Sequence, residues 1–296
     1  MKTFNEHDIT IVNGDCMEYA KNIENESVNL IITSPPYCMQ KAYEDLKADL
    51  DTFKTNNTEI LKESIRVLKK GWSLCWQVGY HVKDGMVVPL DIIIYNIIEE
   101  FNKNLTDDRK LILRNRIVWT FGHGLHTENR FSGRHETVLW FTKGKNDTFN
   151  LDCVRIPQKY PGKTYFKGKK KGQISGNPKG KNPSDVWDIP NVKSNHIEKT
   201  IHPCQFPEAL AQRLILALSN KGDIVYDPYS GSGTTALACY LNDRKFLGTE
   251  LDEQYFKISI DRLKSAFEGN VKIREDKPVM TPDPKSKVAQ KPENFI

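Results

Sequence analysis

A glycine-rich turn between a predicted strand and a predicted helix is well suited to hold a ligand. The segment Val225–Thr235 reads VYDPYSGSGTT. Gly231 and Gly233 allow a ligand to approach the backbone where larger side chains would collide with it. Amides at the start of the following helix can bind a carboxylate or a phosphate, and the hydroxyls of Thr234 and Thr235 can add donors. The turn therefore predicts a site for a small anionic group.

An acidic residue follows this turn at a spacing typical of a ribose-binding site. Glu250 comes about 20 residues after Gly231, at the end of the next predicted strand. A carboxylate at that position can accept hydrogen bonds from the two hydroxyls of a ribose. The turn lacks the Gly-x-Lys-Ser/Thr ending of a nucleoside-triphosphate loop. Together these features favour a nucleoside that carries a small anion over a nucleoside triphosphate.

A second group of polar and aromatic residues stands at the end of another buried strand. Residues 33–37 read TSPPY, and the prolines end the strand because they cannot donate ladder hydrogen bonds. Ser34 offers a hydroxyl acceptor, Pro35 fixes an outward-facing carbonyl, and Tyr37 offers a flat face for stacking. The set fits a planar ligand with an exocyclic amino group, although a Pro-Pro pair ends strands without any such function as well.

The elements predicted around these segments explain how they could meet. Alternating strands and amphipathic helices predict a doubly wound, mainly parallel α/β sheet. The predicted strands are residues 9–12, 28–33, 72–78, 116–121, 136–142, 223–227 and 245–249, and the predicted helices are residues 16–23, 51–68, 90–101, 207–220, 232–241 and 252–267. Ligands bind such sheets at the carboxyl ends of the strands, where both segments fall.

Composition excludes several classes of protein. The chain of 296 residues is 38% hydrophobic and 27% charged, which is typical of a globular protein and not of a disordered one. Its longest apolar stretch, residues 87–98, is shorter than the roughly 20 residues that a membrane-spanning helix needs, and residues 1–10 show no secretory signal. We therefore expect a cytoplasmic protein without membrane contact.

Cysteine and histidine spacing predicts no metal site. The six cysteines are far apart and form no Cys-x-x-Cys pair, which argues against a zinc ribbon or a disulfide framework and for a reducing compartment. His123 and His126 are close in sequence, but no third or fourth ligand follows at a suitable spacing. We expect no bound metal.

Positive charge is concentrated in residues 155–181, which we call the basic insert. It contains one Arg, eight Lys and no acidic residue, so it carries +9 while the rest of the chain carries −4. Lysines interleaved with glycines and aromatic residues can follow a phosphate backbone and offer stacking surfaces. A solvated loop has the same composition, and composition alone does not choose between the two.

Four spaced motifs together resemble one enzyme family. TSPPY, the run HPCQFPE at residues 202–208, DPYSGSGTT and Glu250 resemble the S-adenosylmethionine-dependent DNA amino-methyltransferases, which methylate N6 of adenine or N4 of cytosine. The order of the motifs is that of the beta class of this family. The resemblance covers about residues 8–268. It implies a Rossmann-like methyltransferase fold with a basic target-recognition insert, and S-adenosyl-L-methionine as the cofactor.

The resemblance also implies roles for individual residues. The implied catalytic tetrapeptide is Ser34, Pro35, Pro36 and Tyr37. The implied cofactor contacts are Asp15 near the adenine, Cys16, Asp227, Gly231, Gly233, Thr234, Thr235, and Glu250 on the ribose. Cys16 is interpreted as a small packing residue and not as a nucleophile. Hydrogen bonds from the target amine to Ser34 Oγ and the Pro35 carbonyl would localise the nitrogen lone pair, with the base flipped out of the duplex onto Tyr37.

Two target bases and three further activities stay open. In the family, Ser before Pro-Pro goes mainly with cytosine N4, and Phe206 in the HPCQFP run agrees with this, whereas Gln205 is shared with adenine enzymes. These motifs favour cytosine N4 over adenine N6. The three further activities are methylation of RNA, methylation of a protein amide, and DNA binding without catalysis.

DNA recognition is predicted between residues 119 and 188. Arg130 and Arg134 lie in a glycine-rich loop and could contact guanine or phosphate. Phosphate contacts are predicted for Lys163, Lys167, Lys169, Lys170 and Lys171. The expected partner is double-stranded DNA, while a cognate restriction endonuclease and a homodimer stay open.

The motifs predict four parts along the chain. The catalytic half covers residues 1–118, and the target-recognition region covers residues 119–188. The cofactor-binding half covers residues 189–268. A loose tail is predicted from residue 269 to residue 296, because this segment is rich in Lys, Pro and Asp.

Overall fold

A large mixed sheet forms the centre of the computed structural model, which describes residues 2–37, 49–83, 85–122, 124, 126–145, 148–160 and 162–274. Within these residues the sheet has nine strands in the order β1-β2-β11-β10-β3-β4-β8-β7-β9, and β5 and β6 form a separate hairpin. The strands are β1 (Lys2–Glu6), β2 (Ile9–Asn13), β3 (Val28–Thr33), β4 (Leu68–Val78), β5 (Tyr80–Lys83), β6 (Met86–Pro89), β7 (Leu111–Thr120), β8 (His135–Lys143), β9 (Val186–Asp188), β10 (Ile224–Asp227) and β11 (Lys245–Glu250).

Helices cover both faces of the sheet. They are α1 (Cys16–Ala20), α2 (Leu50–Val67), α3 (Leu90–Asn102), α4 (Leu151–Val154), α5 (Glu208–Leu218), α6 (Thr234–Leu241) and α7 (Glu253–Phe267). Successive residues of a strand point to opposite faces. Leu30 and Ile32 of β3 therefore pack in the core beneath α5, α6 and α7, while Ile31 packs in the core beneath α1, α2 and α3. None of the described helices is long and apolar enough to cross a membrane.

Five neighbouring strands run parallel, which confirms the predicted fold class. β2, β11, β10, β3 and β4 pair in parallel, whereas β8 is antiparallel to both β4 and β7. β3 and β10 are direct neighbours, with Leu30 opposite Val225 and Ile31 opposite Tyr226. Their carboxyl ends, which carry the two chemical segments, therefore lie side by side at one edge of the sheet.

Several predicted boundaries were wrong, and several short elements were missed. Strand β4 begins at Leu68 and not at Trp72, and Gly71, which has a φ of +80°, lies within it. Strand β7 begins at Leu111 and not at Arg116. The first helix ends at Ala20, three residues before the predicted end. The missed elements are β1, β5, β6, β9 and α4.

The predicted division into four parts stays a prediction. Strands from the predicted catalytic half and from the predicted cofactor half alternate within the one sheet, since β10 and β11 lie between β2 and β3. Of the predicted tail, residues 275–296 lie outside the described residues, as does His123.

Candidate active site

One cavity is lined by both of the segments singled out in the sequence, TSPPY and the glycine-rich turn. Its volume is about 900 Å³, and it opens at the carboxyl ends of β3, β10 and β11. The segment after β3 contributes Ser34, Pro35, Pro36 and Tyr37, and the turn after β10 contributes Pro228, Tyr229, Ser230, Gly231, Ser232 and Thr234. Its volume falls in the range of about 300–1,000 Å³ typical of small-molecule sites.

Asp227 joins the two strand ends from inside the protein. Its side chain is fully buried. It accepts hydrogen bonds from Thr33 Oγ1 (2.6 Å), Thr235 Oγ1 (2.7 Å) and the Tyr229 amide (3.1 Å). Burial raises the pKa of this carboxyl to about 6, although the three donors act against the shift. Asp227 and Thr235 thus hold the turn from behind, and neither lines the cavity.

The two glycines of the turn are required for different structural reasons. Both have positive φ, +53° at Gly231 and +74° at Gly233. A Cβ at Gly231 would lie 3.2 Å from His202 Nε2, on the cavity wall, whereas a Cβ at Gly233 would lie 2.7 Å from the Cβ of Ser259 on α7. Close packing of α7 therefore requires a glycine at position 233, and the expected role of Gly233 beside a ligand stays a prediction.

Glu250 ties the end of β11 to the turn. Its Oε2 accepts from the Gly231 amide (2.8 Å) and its Oε1 accepts from the Asp252 amide (2.8 Å). Burial raises the pKa of this carboxyl to about 7, against the effect of the two amides. Each carboxylate oxygen has a further lone pair that can accept from a ligand hydroxyl.

Asp15 and Cys16 lie on the same wall, at the start of α1. Asp15 is exposed and caps the helix, since its Oδ1 accepts from the Met17 amide (2.7 Å) and the Glu18 amide (3.1 Å). Burial raises the pKa of the Cys16 thiol to about 11, so the thiol stays protonated. This agrees with the interpretation of Cys16 as a packing residue and not a nucleophile.

Two residues that the sequence did not single out lie beside the tetrapeptide Ser34–Tyr37, whose catalytic role is a prediction. Ser34 Oγ lies 3.5 Å from the Tyr37 hydroxyl, which donates to Glu136 Oε2 at 3.3 Å. The buried Gln77 of β4 donates to the same oxygen through Nε2. Both Gln77 and Glu136 line the cavity. They lie far from Tyr37 in the sequence, and no local motif marks them.

His202, the first residue of the HPCQFPE run, lines the cavity directly beside the glycine turn. Its ring packs edge-on against Tyr255, with ring centroids 4.5 Å apart, and its Nδ1 accepts from the Cys204 amide at 3.3 Å. Burial, assisted by Lys199, lowers the pKa of His202 to about 4, so the imidazole is neutral at physiological pH. The run therefore supplies a neutral wall beside Gly231.

Arg262 of α7 is a further residue that sequence reasoning missed. One guanidinium nitrogen, Nη1, donates to the Ser232 carbonyl (2.6 Å), to Ser232 Oγ (3.2 Å) and to Thr234 Oγ1 (3.1 Å). The Thr234 hydroxyl, expected to face a ligand, is therefore engaged by this arginine. Arg262 and the packing of Ser259 against Gly233 together hold the turn against α7.

The predicted DNA-binding residues lie away from the cavity wall. Arg130 and Arg134 are half-buried, and Arg134 Nη1 donates to the Gly133 carbonyl at 3.0 Å. The predicted phosphate contacts are all exposed: Lys163, Lys167, Lys169, Lys170 and Lys171. In the same region Trp119 and Phe121 do reach the cavity. Among the described residues, no group of three or more His, Cys, Asp or Glu could hold a metal ion.

Comparison with known proteins identifies the family. Residues 28–261 match the family of DNA methylases that comprises the N6 and N4 methyltransferases. The chain belongs to this family. The Type II methyltransferase M.BglII of Bacillus subtilis is 44% identical over 88% of this chain and 70% of the relative. The DNA adenine methyltransferase YhdJ of Escherichia coli K12 is 34% identical over 87% of this chain and 83% of the relative.

Solved structures show the same fold. The PvuII DNA methyltransferase, which is cytosine-N4-specific, superposes with a TM-score of 0.65 at 20% identity and covers 85% of each chain. The Thermus thermophilus protein TTHA0409, in complex with S-adenosyl-L-methionine, superposes with a TM-score of 0.60 at 24% identity, over 87% of this chain and 93% of that chain. The resemblance drawn from the sequence motifs, and the Rossmann-like methyltransferase fold it implied, are confirmed.

Proposed function

We propose that the protein is a site-specific DNA methyltransferase that moves a methyl group from S-adenosyl-L-methionine to the exocyclic N4 of a flipped cytosine. One observation carries this proposal. Ser34 and Tyr37, which suit an aminated planar base, line the same cavity as Gly231 and Glu250, which suit a nucleoside with an anionic end. Bound S-adenosyl-L-methionine supplies an electrophilic sulfonium methyl group.

The cofactor fits the residues on one side of the cavity. Glu250 accepts hydrogen bonds from the ribose hydroxyls, because its half-buried carboxylate is already held in place by two amides. Asp15 and Cys16 contact the adenine from the start of α1. Gly231 leaves the backbone open beside the methionine end. Asp227, Gly233 and Thr235 act from behind, by holding the turn in shape, while Thr234 lines the cavity with its hydroxyl held by Arg262.

The residues on the other side bind the target base. Ser34 Oγ and the Pro35 carbonyl accept hydrogen bonds from the two N–H groups of the amino group, which localises the nitrogen lone pair for attack. Pro36 keeps this backbone extended, since proline fixes its own φ and restricts the residue before it. The flipped base stacks on the ring of Tyr37. Positioning and hydrogen bonding of this kind supply the acceleration. No strong base is needed before attack, because the amino protons become acidic once the nitrogen is methylated, and one of them is then lost to solvent.

Cytosine N4 is the favoured target because of Ser34 and Phe206, which resemble the cytosine enzymes of the family. Adenine N6 is the second candidate, since a relative at 34% identity is a DNA adenine methyltransferase. Both amino groups carry two protons, so the Ser34 hydroxyl could bind either one.

DNA is bound outside the cavity, by the recognition region. Arg130 and Arg134 contact guanine or phosphate, and the lysines at 163, 167, 169, 170 and 171 contact phosphates. The Type II methyltransferase M.BglII among the relatives supports a restriction–modification setting with a cognate endonuclease. Exposed apolar side chains on the β5–β6 hairpin and α3, namely Met86, Val87 and Ile92, support a homodimer. Light scattering on the purified protein would test the dimer.

One assay tests the proposed reaction. The protein is incubated with methyl-labelled S-adenosyl-L-methionine and duplex DNA, RNA or a protein mixture, and the nucleosides are then separated by mass spectrometry. We expect label in N4-methyl-deoxycytidine, from duplex DNA alone. Label in N6-methyl-deoxyadenosine would select the second candidate. No methylated deoxynucleoside from any duplex would contradict both.

A further inference from the structure

A chain of hydrogen-bonding groups leads from the catalytic serine to a carboxylate. Ser34 Oγ lies 3.5 Å from the Tyr37 hydroxyl, and the Tyr37 hydroxyl lies 3.3 Å from Glu136 Oε2. Gln77 donates to that same carboxylate oxygen. The four residues come from three places in the chain, namely the segment after β3, strand β4 and the start of β8.

The carboxylate determines the direction of every hydrogen bond in this chain. An ionised carboxylate can only accept, whereas a hydroxyl can both donate and accept. Burial and the charge of Glu136 raise the pKa of Tyr37 well above its usual value, so the phenol keeps its proton. The phenol O–H donates its one hydrogen bond to Glu136 Oε2. The Tyr37 oxygen is then an acceptor, and its partner on the other side must donate to it.

The partner on that side is Ser34. When its proton faces Tyr37, the remaining lone pairs of Ser34 Oγ face the cavity. A serine with the opposite orientation would present its proton to the target amine and repel it. We propose that Glu136 is a positioning residue which, acting through Tyr37, fixes the Ser34 hydroxyl as an acceptor for the amino group of the target base. This inference rests on the proposed function.

The surrounding packing holds this chain of hydrogen-bonding groups, Ser34–Tyr37–Glu136, in one geometry; we call the chain the relay. Gln77 and Val78 pair with Val138 and Thr137 of β8, which fixes the backbone beside Glu136. A Cβ at Gly79 would lie 3.2 Å from Tyr37 Cε2 and 3.3 Å from Glu136 Oε1. The two side chains therefore close over a glycine, and Tyr37 keeps its hydroxyl aimed at Glu136 while its ring stays available to the cavity.

A double-mutant cycle tests the relay in the full-length protein. Glu136→Gln keeps the size of the side chain but adds an amide donor, which can donate to Tyr37 and reverse the chain. Tyr37→Phe keeps the ring and removes the hydroxyl. The exposed Glu100 on α3 gives the matched control, Glu100→Gln. Single-turnover methylation of duplex DNA gives the rate, calorimetry gives the affinity for S-adenosyl-L-methionine, and thermal unfolding reports whether each variant folds.

We expect Glu136→Gln to lower the single-turnover rate about tenfold, the size of one well-oriented hydrogen bond, with cofactor affinity unchanged within about twofold. Tyr37→Phe should lower the single-turnover rate by a comparable factor. In the Tyr37→Phe background, Glu136→Gln should lower the single-turnover rate by less than about a further twofold, because the two residues act in series. Glu100→Gln should equal the wild type.

Three results would overturn the inference. In the first, Glu136→Gln methylates at the wild-type rate. In the second, Glu136→Gln lowers the single-turnover rate about a further tenfold in the Tyr37→Phe background, which would show that Glu136 does not act through the Tyr37 hydroxyl. In the third, Tyr37→Phe keeps the full rate, an outcome that holds even if Glu136→Gln fails to fold. A wild-type chain that methylates no DNA would instead overturn the proposed function, and this inference with it.

Discussion

The cavity wall and the basic insert are built in opposite ways. Directly behind the wall, Asp227 is buried and accepts three hydrogen bonds, and Arg262 holds the turn through three more. In the insert the lysines are exposed, and the chain is held by backbone pairs such as the Tyr165 amide to the Gln173 carbonyl (2.9 Å) and the Gly172 amide to the Tyr165 carbonyl (3.0 Å).

This difference follows from what each region is proposed to bind. Methyl transfer needs atoms placed to within a fraction of an ångström, so the wall is fixed by buried polar groups. Phosphate contacts are long-range and carry no sequence information, so exposed lysines on a lightly tied loop suffice. Changes in the wall should therefore have large and specific effects, while changes in the insert should have small, salt-dependent ones.

The largest effect is expected from Ser34→Ala. It removes the proposed acceptor of the amino proton, and turnover should fall about 100-fold or more, while the affinity for S-adenosyl-L-methionine should stay within about twofold of wild type. In the insert, Ser175→Ala serves as the matched change, because that hydroxyl donates to the Lys163 carbonyl at 3.0 Å, within the insert itself, and kcat should be unchanged. Calorimetry showing that Ser34→Ala no longer binds the cofactor would contradict this division of roles.

Two glycines with nearly equal φ, one in the glycine-rich turn and one in the basic insert, allow the two regions to be compared. Gly233 has φ +74° and Gly168 has φ +79°, but a Cβ at Gly233 would lie 2.7 Å from the Cβ of Ser259 while a Cβ at Gly168 would meet nothing within 4 Å. Gly233→Ala should lower the free energy of unfolding by about 3 kcal/mol, and Gly168→Ala by about 1 kcal/mol. Urea unfolding measures both, and equal losses would remove the contrast.

Cofactor binding should depend on pH through Glu250. The pKa of its carboxyl is raised to about 7 by burial, and ribose hydroxyls donate to the ionised form. Binding therefore favours deprotonation, and affinity should fall as the pH drops through about 7. Between about pH 8 and pH 6 we expect a loss of about tenfold. Calorimetry across this range measures the loss, and Glu250→Gln should bind more weakly with a flat profile. An equally steep profile in that variant would assign the titration to another group.

The smallest effect is expected from the insert. Changing Lys169, Lys170 and Lys171 together to Ala should weaken DNA binding several-fold at moderate salt and reduce the salt slope by up to about 3, because each phosphate contact contributes about 0.9 to the slope. The methylated site should not change, and neither should the unfolding midpoint. A changed recognition site would mean that these lysines read bases.

The parts of the site that the sequence predicted are those in which one short segment contains all the residues that indicate its function. The β10–α6 turn and the TSPPY segment each combine a buried apolar strand with local breakers. The prediction that they meet follows from parallel pairing of β3 and β10. Short edge elements such as β1 and the β5–β6 hairpin were missed because they bury few residues and show little periodicity.

Supporting contacts in the site were missed for a different reason. Glu136 is separated from Tyr37 by 99 residues, and Arg262 from Ser232 by 30 residues. Nothing local distinguishes these side chains from surface residues, since their partners are set by the register of β4 on β8 and by the packing of α7 against the turn. Such residues become visible only when the fold brings them to the site.

The central claim is that two neighbouring strand ends hold the cofactor and the flipped base in one cavity. A crystal structure of the protein with S-adenosyl-L-methionine and a duplex containing its recognition site tests this most directly. The account predicts the cofactor ribose on Glu250, and the base on Tyr37 with its amino group within hydrogen-bond distance of Ser34 Oγ and the Pro35 carbonyl. A base that remains stacked in the duplex, or binds away from Tyr37 while the cofactor sits on Glu250, would contradict it.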